Sequence, residues 1–362
     1  MAFRNPLAHL FLTALAGLSL LTGCGTAPMA VPTSGSLVDQ SILAAKSRDS
    51  GLSLVVMPDA GPDFLLKAIQ GAKKSITLEM YLLTYTGITQ QITDALIAKS
   101  KAGLDVRIIL ENQPFIMPTP PKPGEPPKPP INVNRAAFEA LTAGGVRVKR
   151  SSPQFAFTHE KCMVIDQKVA YIMTMNFSNA ALQKNREYVV IDESPSDVAE
   201  LNRIFQADWD ETPIVPKDPD LVVSPSNSKE RILTLINSAQ KSLAVQVEFI
   251  DDADVVAALA SRQKAGVELT MQLSYQRPEG DNDSNARELQ QLNAAGITKI
   301  KFIKTLGLHA KLIVADNAKA YVGSENFTTN SLTRNREMGI IVKDQTIVSK
   351  LAEIAAKDWA AN

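Results

Sequence analysis

Apolar and polar positions along the chain fall into two recurring patterns. Runs such as 52–57 are apolar almost throughout, at a length suited to a strand covered on both faces. Between such runs lie helix-like stretches at 64–71 and 89–101, and the same grammar returns at 229–238 and 253–264. The second helix of each set closes on Lys101-Ala102-Gly103 or Lys264-Ala265-Gly266. Gly103 and Gly266 therefore sit where a helix C-terminus favours a residue free to turn left-handed. Helices alternating with apolar strands predict α/β layers with largely buried sheets.

The two blocks are copies of one unit. Ala72-Lys73-Lys74-Ser75-Ile76 returns as Ala239-Gln240-Lys241-Ser242-Leu243, and Lys101-Ala102-Gly103-Leu104 returns as Lys264-Ala265-Gly266-Val267. This repeat divides the body into halves at 51–215 and 216–362. They differ mainly by a proline-dense insertion at 117–130, whose composition favours extended polyproline conformation on the surface.

The third part of each unit carries the candidate chemistry. The first copy has His159, Lys161, Asp166, Thr174, Asn176 and Glu187; the second has His309, Lys311, Asp316, Ser324, Asn326 and Glu337. From the histidine, the offsets are two, seven, fifteen, seventeen and twenty-eight residues in both copies. A spacing of two on a strand puts His and Lys on one face. Asp166-Gln167 and Asp316-Asn317 then predict turns into second strands at 169–174 and 320–322, whose ends bring the hydroxyl and the Asn near the His and Lys. A single His-x-Lys pair is weak evidence for a site, but two copies in register are not a packing accident.

Composition narrows the reading. Lys plus Arg and Asp plus Glu are 38 each, so no global basic field points to nucleic acid. The N-terminus has one cation, Arg4, then an apolar run from Leu10 to Leu21, too short to span a bilayer and suited to a signal segment over 1–23. It ends in Leu21-Thr22-Gly23-Cys24, which resembles the bacterial lipobox and implies a lipidated Cys24 at the mature N-terminus. Residues 24–50, rich in small and polar residues, read as a flexible tether reaching about a few tens of Å. With Cys24 lipidated, Cys162 has no disulfide partner. Two histidines and one thiol beyond residue 24 make a structural zinc a poor fit, so neither metal nor cofactor is expected.

Those residue types suit phosphodiester cleavage. A neutral imidazole can attack phosphorus, a protonated one can supply the leaving oxygen with a proton, and lysines, asparagines and hydroxyls can stabilise charge on the non-bridging oxygens. His-x-Lys-x4-Asp followed by Gly323-Ser324-Glu325-Asn326 and a later acid resembles the phospholipase D superfamily over nearly all of 52–360. The first copy departs from that pattern at Met173 and Thr174. The resemblance implies two α/β/α halves packed face to face around one site, with His159 as nucleophile and His309 as general acid and base. It also implies that Glu187 and Glu337 each accept from a ring N–H of the opposite half's histidine. The residues by themselves leave the two histidines interchangeable; Asp166 and Asp316 read as braces for their turns.

The expected activity is metal-independent hydrolysis or transfer of phospholipid head groups by an enzyme anchored in the bacterial envelope through its lipid. Gly25, in the place of an Asp, leans the expectation towards the outer membrane. The alternatives are a secreted nuclease using basic stretches such as Arg147-Val148-Lys149-Arg150 or 299–304, and a catalytically silent envelope-binding protein.

Overall fold

The structure is a computed structural model that describes residues 38–114, 132–277 and 283–362. The signal segment, Cys24 and the 117–130 insertion lie outside the described residues. In chain order the strands are β1 Ala45–Lys46, β2 Leu52–Met57, β3 Ser75–Met80, β4 Asp105–Leu110, β5 Arg147–Arg150, β6 Lys161–Ile165, β7 Val169–Met173 and β8 Asn185–Asp192. They continue with β9 Leu221–Ser224, β10 Ser242–Val247, β11 Glu268–Ser274, β12 Ile300–Ile303, β13 Gly307–Leu308, β14 Leu312–Ala315, β15 Lys319–Gly323 and β16 Glu337–Val342. The first sheet runs β1-β2-β8-β7-β6-β3-β4-β5, with β13 paired to β8; the second runs β9-β16-β15-β14-β10-β11-β12. From β2 to β5 and from β9 to β12, equivalent strands occupy equivalent places.

Alternate residues of each strand serve different cores. Val55, Ile76, Met163 and Tyr171 pack under the outer helices Asp63–Gly71 and Ile88–Lys101 of the first half, and Val245, Leu269, Ile313 and Tyr321 do the same in the second. Leu54, Val164, Ile172 and Val190 instead join Leu312, Val314, Val322 and Ile340 in a central core that draws on both sheets. Helices Pro195–Trp209 and Gln345–Ala360 supply Leu201, Ile204, Ile347 and Leu351 to this layer. The two halves therefore face each other, within one compact unit.

Local chemistry explains why the elements stop where they do. Gly103 and Gly266 have φ of 90° and 93° after their helices, the left-handed conformation that a Cβ disfavours. The two-residue loops Asp166-Gln167 and Asp316-Asn317 also have positive φ throughout, between 50° and 56°, as a tight hairpin between twisted strands requires. Each Asp carboxylate is then anchored across the sheet. Asp166 accepts the backbone N–H groups of Lys73, Lys74 and Ser75, and Asp316 those of Gln240, Lys241 and Ser242. These are the N–H groups that lead into β3 and β10.

Two expectations change. Residues 38–50 are not tether: Val38 is buried in the first core, β1 pairs antiparallel with β2, and Ser47 Oγ donates to Asp344 Oδ2 at 2.6 Å. Its few apolar residues, interrupted by Asp39, Gln40 and Ser41, show no period, so pairing with β2 was invisible beforehand. His159 and His309 also lie just before their strands, because their backbone N–H groups bond the opposite half, to Arg336 O at 2.8 Å and Arg186 O at 3.3 Å.

Candidate active site

Those cross-half backbone bonds build the site. Arg186 and Arg336 immediately precede Glu187 and Glu337, so fixing each histidine to the neighbouring arginine brings its ring to the opposite half's glutamate. His159 Nδ1 lies 2.7 Å from Glu337 Oε2, and His309 Nδ1 lies 2.9 Å from Glu187 Oε1. Both glutamates have no exposed surface, and the histidines keep only 11% and 13% of theirs. Each arginine is locked in turn: Arg186 Nε donates to Asp358 Oδ2 at 2.8 Å, and Arg336 reaches Asp208 Oδ1 at 2.7 Å, both pairs spanning the halves.

Lys161 and Lys311 are fully buried, and each ammonium donates to the carbonyl of the histidine two residues earlier. His159 is held by Glu337 and His309 by Glu187, each from the other half. Both motifs thus line one site. Asn176 and Asn326 are each 7% exposed, and Asn326 Oδ1 accepts the Phe249 N–H at 3.3 Å, which sets Asn326 beside the residue following Glu248.

The hydroxyls require a correction. Ser324 was expected to donate to the reacting group and Thr174 to support it. Instead both are fully buried, with Thr174 Oγ1 donating to Glu187 Oε2 at 2.6 Å and Ser324 Oγ to Glu337 Oε2 at 2.8 Å. A hydroxyl has one proton, and here it is committed to a carboxylate. Each oxygen also accepts a backbone N–H, from Tyr188 or Met338. Thr174 and Ser324 thus hold the glutamates in place, with their protons committed to the carboxylates.

Electrostatics separate the groups. Burial outweighs the Glu337 carboxylate and lowers His159 to about 4, so its ring is neutral at physiological pH. Donating Nδ1–H to Glu337 then leaves a lone pair on Nε2. Burial, with Lys311 adding to it, also brings Lys161 down to about 7 against the pull of Glu337. For Glu337, burial raises the carboxyl, but His159 and Lys161 hold it below the usual range.

Two residues of the site escaped the sequence reading because they differ between copies. Tyr81, which follows β3, meets the His159 ring edge-on at 4.4 Å and lies 5.1 Å from the Lys161 ammonium. Glu248, at the equivalent place after β10, lies 3.0 Å from Lys311 Nζ and 3.3 Å from His309 Nε2. An ionisable residue ending an apolar strand was the available signal.

Glu160, on the other side of the chain from its motif neighbours, joins Glu79 and Asp208 in a buried acid cluster beside Arg336. Burial and the Asp208 charge push Glu160 up to about 8, so it holds its proton at neutral pH.

A duplicated mixed-sheet fold with one His, Lys, Asn and Glu set per half defines the class of phospholipase D-like enzymes. The family profile described as "Cardiolipin synthase, PLD-like domain" matches residues 65–209 and 232–359, and the chain belongs to this family. It is 24% identical over 341 residues to a cardiolipin synthase of Clostridium perfringens, covering 81% of this chain and 67% of that one. It is 25% identical over 327 residues to cardiolipin synthase A of Pectobacterium atrosepticum, covering 80% and 65%. The chain thus spans about two thirds of the length of these relatives. The fold is similar to that of phosphatidylserine synthase from Haemophilus influenzae, with a TM-score of 0.62 at 13% identity and 87% of each chain covered. Polyphosphate kinase from Porphyromonas gingivalis also gives 0.62, at 17% identity, with 85% of this chain and 50% of that one covered.

Proposed function

We propose that the protein cleaves or transfers phospholipid head groups through a phosphohistidine, without a metal ion. The observation that carries this is the reciprocal pairing of each imidazole with a buried carboxylate of the other half, in one site with two lysines and two asparagines. His159 Nε2 attacks phosphorus while His309 protonates the departing alcohol oxygen. Water or an acceptor alcohol then gives its proton to His309 and displaces the phosphatidyl group from His159. Lys161, Lys311, Asn176 and Asn326 donate to the non-bridging oxygens as charge builds on them. The substrate class follows from the family and from relatives named cardiolipin synthase.

Lipidation at Cys24, with export and membrane attachment, belongs to the same proposal and rests on the lipobox-like sequence; no helix among the described residues is long and apolar enough to cross a membrane. The nuclease reading loses support from its basic stretches. Lys149 and Lys301 pack over Trp209 and Trp359, and Lys299 pairs with Glu268.

The test offers the full chain, in excess EDTA, mixed phospholipid vesicles and single- and double-stranded DNA, with products read by mass spectrometry. Phosphatidic acid or a new phosphatidyl alcohol is expected, abolished by His159→Ala. DNA cleavage alone would replace the lipid reading with the nuclease, and no product from either would leave a binding protein.

A further inference from the structure

The two copies of the site match in His, Lys, hydroxyl, Asn and Glu, yet an enzyme using one histidine as nucleophile and the other as acid needs them to differ. A difference that reaches the histidine rings lies one residue beyond β3 and β10, where the first half has Tyr81 and the second Glu248. Tyr81 presents an aromatic ring to His159 at 4.4 Å. Glu248 presents a carboxylate oxygen to His309 Nε2 at 3.3 Å, while Glu187 holds Nδ1 at 2.9 Å.

A carboxylate charge beside each ring nitrogen attracts the imidazolium and not the neutral ring, and only the Nδ1 contact with Glu187 is a hydrogen bond. His309 therefore has a carboxylate beside each ring nitrogen, whereas His159 has a carboxylate at Nδ1 and an aromatic ring beside it. The titratable groups around His309 are Glu187 from β8, Glu248 from the end of β10 and Lys311 ahead of β14, with Lys161 and His159 on the side of the first half. Glu248 is ionised among them: burial raises its carboxyl, but His309 and Lys311 bring it down to about 2. At 3.3 Å the contact is an ion-pair distance and not a hydrogen bond, so the Nε2 proton, fixed in the ring plane, is left for a leaving oxygen.

Building on the phosphohistidine reading, we propose that Glu248 is the positioning residue that assigns the two roles, keeping His309 as proton donor and so leaving His159 as nucleophile. In the first step the His159 Nε2 lone pair forms the N–P bond. The P–O bond to the alcohol breaks with its electron pair on oxygen, and that oxygen takes the Nε2 proton of His309. In the second step the acceptor hydroxyl returns a proton to His309 Nε2, its oxygen forms the new P–O bond, and the N–P electron pair goes back to His159. Glu248 exchanges no proton in either step; it stabilises the charged form of His309 at the start and the end.

The leaving group provides the test, because an alkoxide needs a proton and a nitrophenolate does not. Phosphatidylglycerol and the p-nitrophenyl ester of phosphatidic acid are compared in single turnovers of the full chain. Each reaction is quenched and the phosphohistidine located by peptide mass spectrometry. Glu248→Gln is expected to slow release of the alcohol about 10²-fold or more, within the range of general-acid contributions. Its loss with nitrophenol should be at least about tenfold smaller, with the label on His159 in both. Glu248→Asp, which keeps the charge, should restore the native ratio between the substrates, and nitrophenol release itself reports that each variant is folded. Equal losses with both leaving groups, or a label on His309, overturn the assignment. Failure of the native chain to form any phosphohistidine overturns the proposed function itself, and the assignment with it.

Discussion

Lys161 shows how this site sets charge by burial. With no exposed surface it gives up proton affinity that a surface lysine would keep, and Glu337 restores only part of it. His159 is treated in the same way, and the two values define a pH profile. On the proposed mechanism His159 attacks as the neutral imidazole, so kcat/KM should rise as pH climbs through about 4. The ammonium of Lys161 should lose its charge as pH passes about 7, so the rate should decline from there. Initial rates on vesicles between pH 3 and 9 check both limbs. Stability follows the same sign: both groups hold fewer protons folded than unfolded. Their contribution therefore improves with rising pH between about 4 and 6.5 for His159, and between about 7 and 10.5 for Lys161. The identities and spacings of these residues could be read in the chain. Their charge states could not, because burial is a property of what packs around them.

At the scale of single elements, the aspartate of each motif is a clasp. Asp166 ends a strand, occupies a left-handed turn residue and draws together three N–H groups entering β3. Hydrogen bonds to a charged group contribute about 1.5–3 kcal/mol each before solvent exposure weakens them. Asp166→Ala should therefore cost about 2–4 kcal/mol of stability, measured by urea unfolding, with the folded fraction still active. The helices at 253–264 and 89–101 and the strand at 52–57 were legible because their periodicity is local, and they appear within a residue of the expected positions. The folding of residues 38–50 onto β2 and Asp344 was not, since it depends on partners far along the chain. Nor was the placement of both histidines ahead of their strands, which follows from backbone bonds to the other half.

For the molecule as a whole, the halves are joined by paired charges as well as by the central core. Arg186 with Asp358 and Arg336 with Asp208 are buried and reciprocal, and Tyr188 Oη donates to Gln246 Oε1 across the same interface at 2.7 Å. Removing one partner strands a buried charge. Arg186→Met should cost about 3–5 kcal/mol by denaturant unfolding. It should also lower activity, because losing the guanidinium's bonds to Asp358 and the Met57 carbonyl loosens the backbone that fixes His309 and leads into Glu187. Since the core and the site both draw on each half, unfolding should occur in one transition, seen by coincident circular dichroism and fluorescence curves.

The sequence by itself determined the duplication, the alternating α/β elements, the family and most of the residues that meet at the site, because periodicity, spacing and residue type are written along the chain. Tertiary structure alone decided that the two hydroxyls orient carboxylates, that the lysines are buried, and that Glu248 and Tyr81 make the two sites unequal. Those outcomes depend on through-space distance and on exclusion of water. Both arise only when the second half closes over the first.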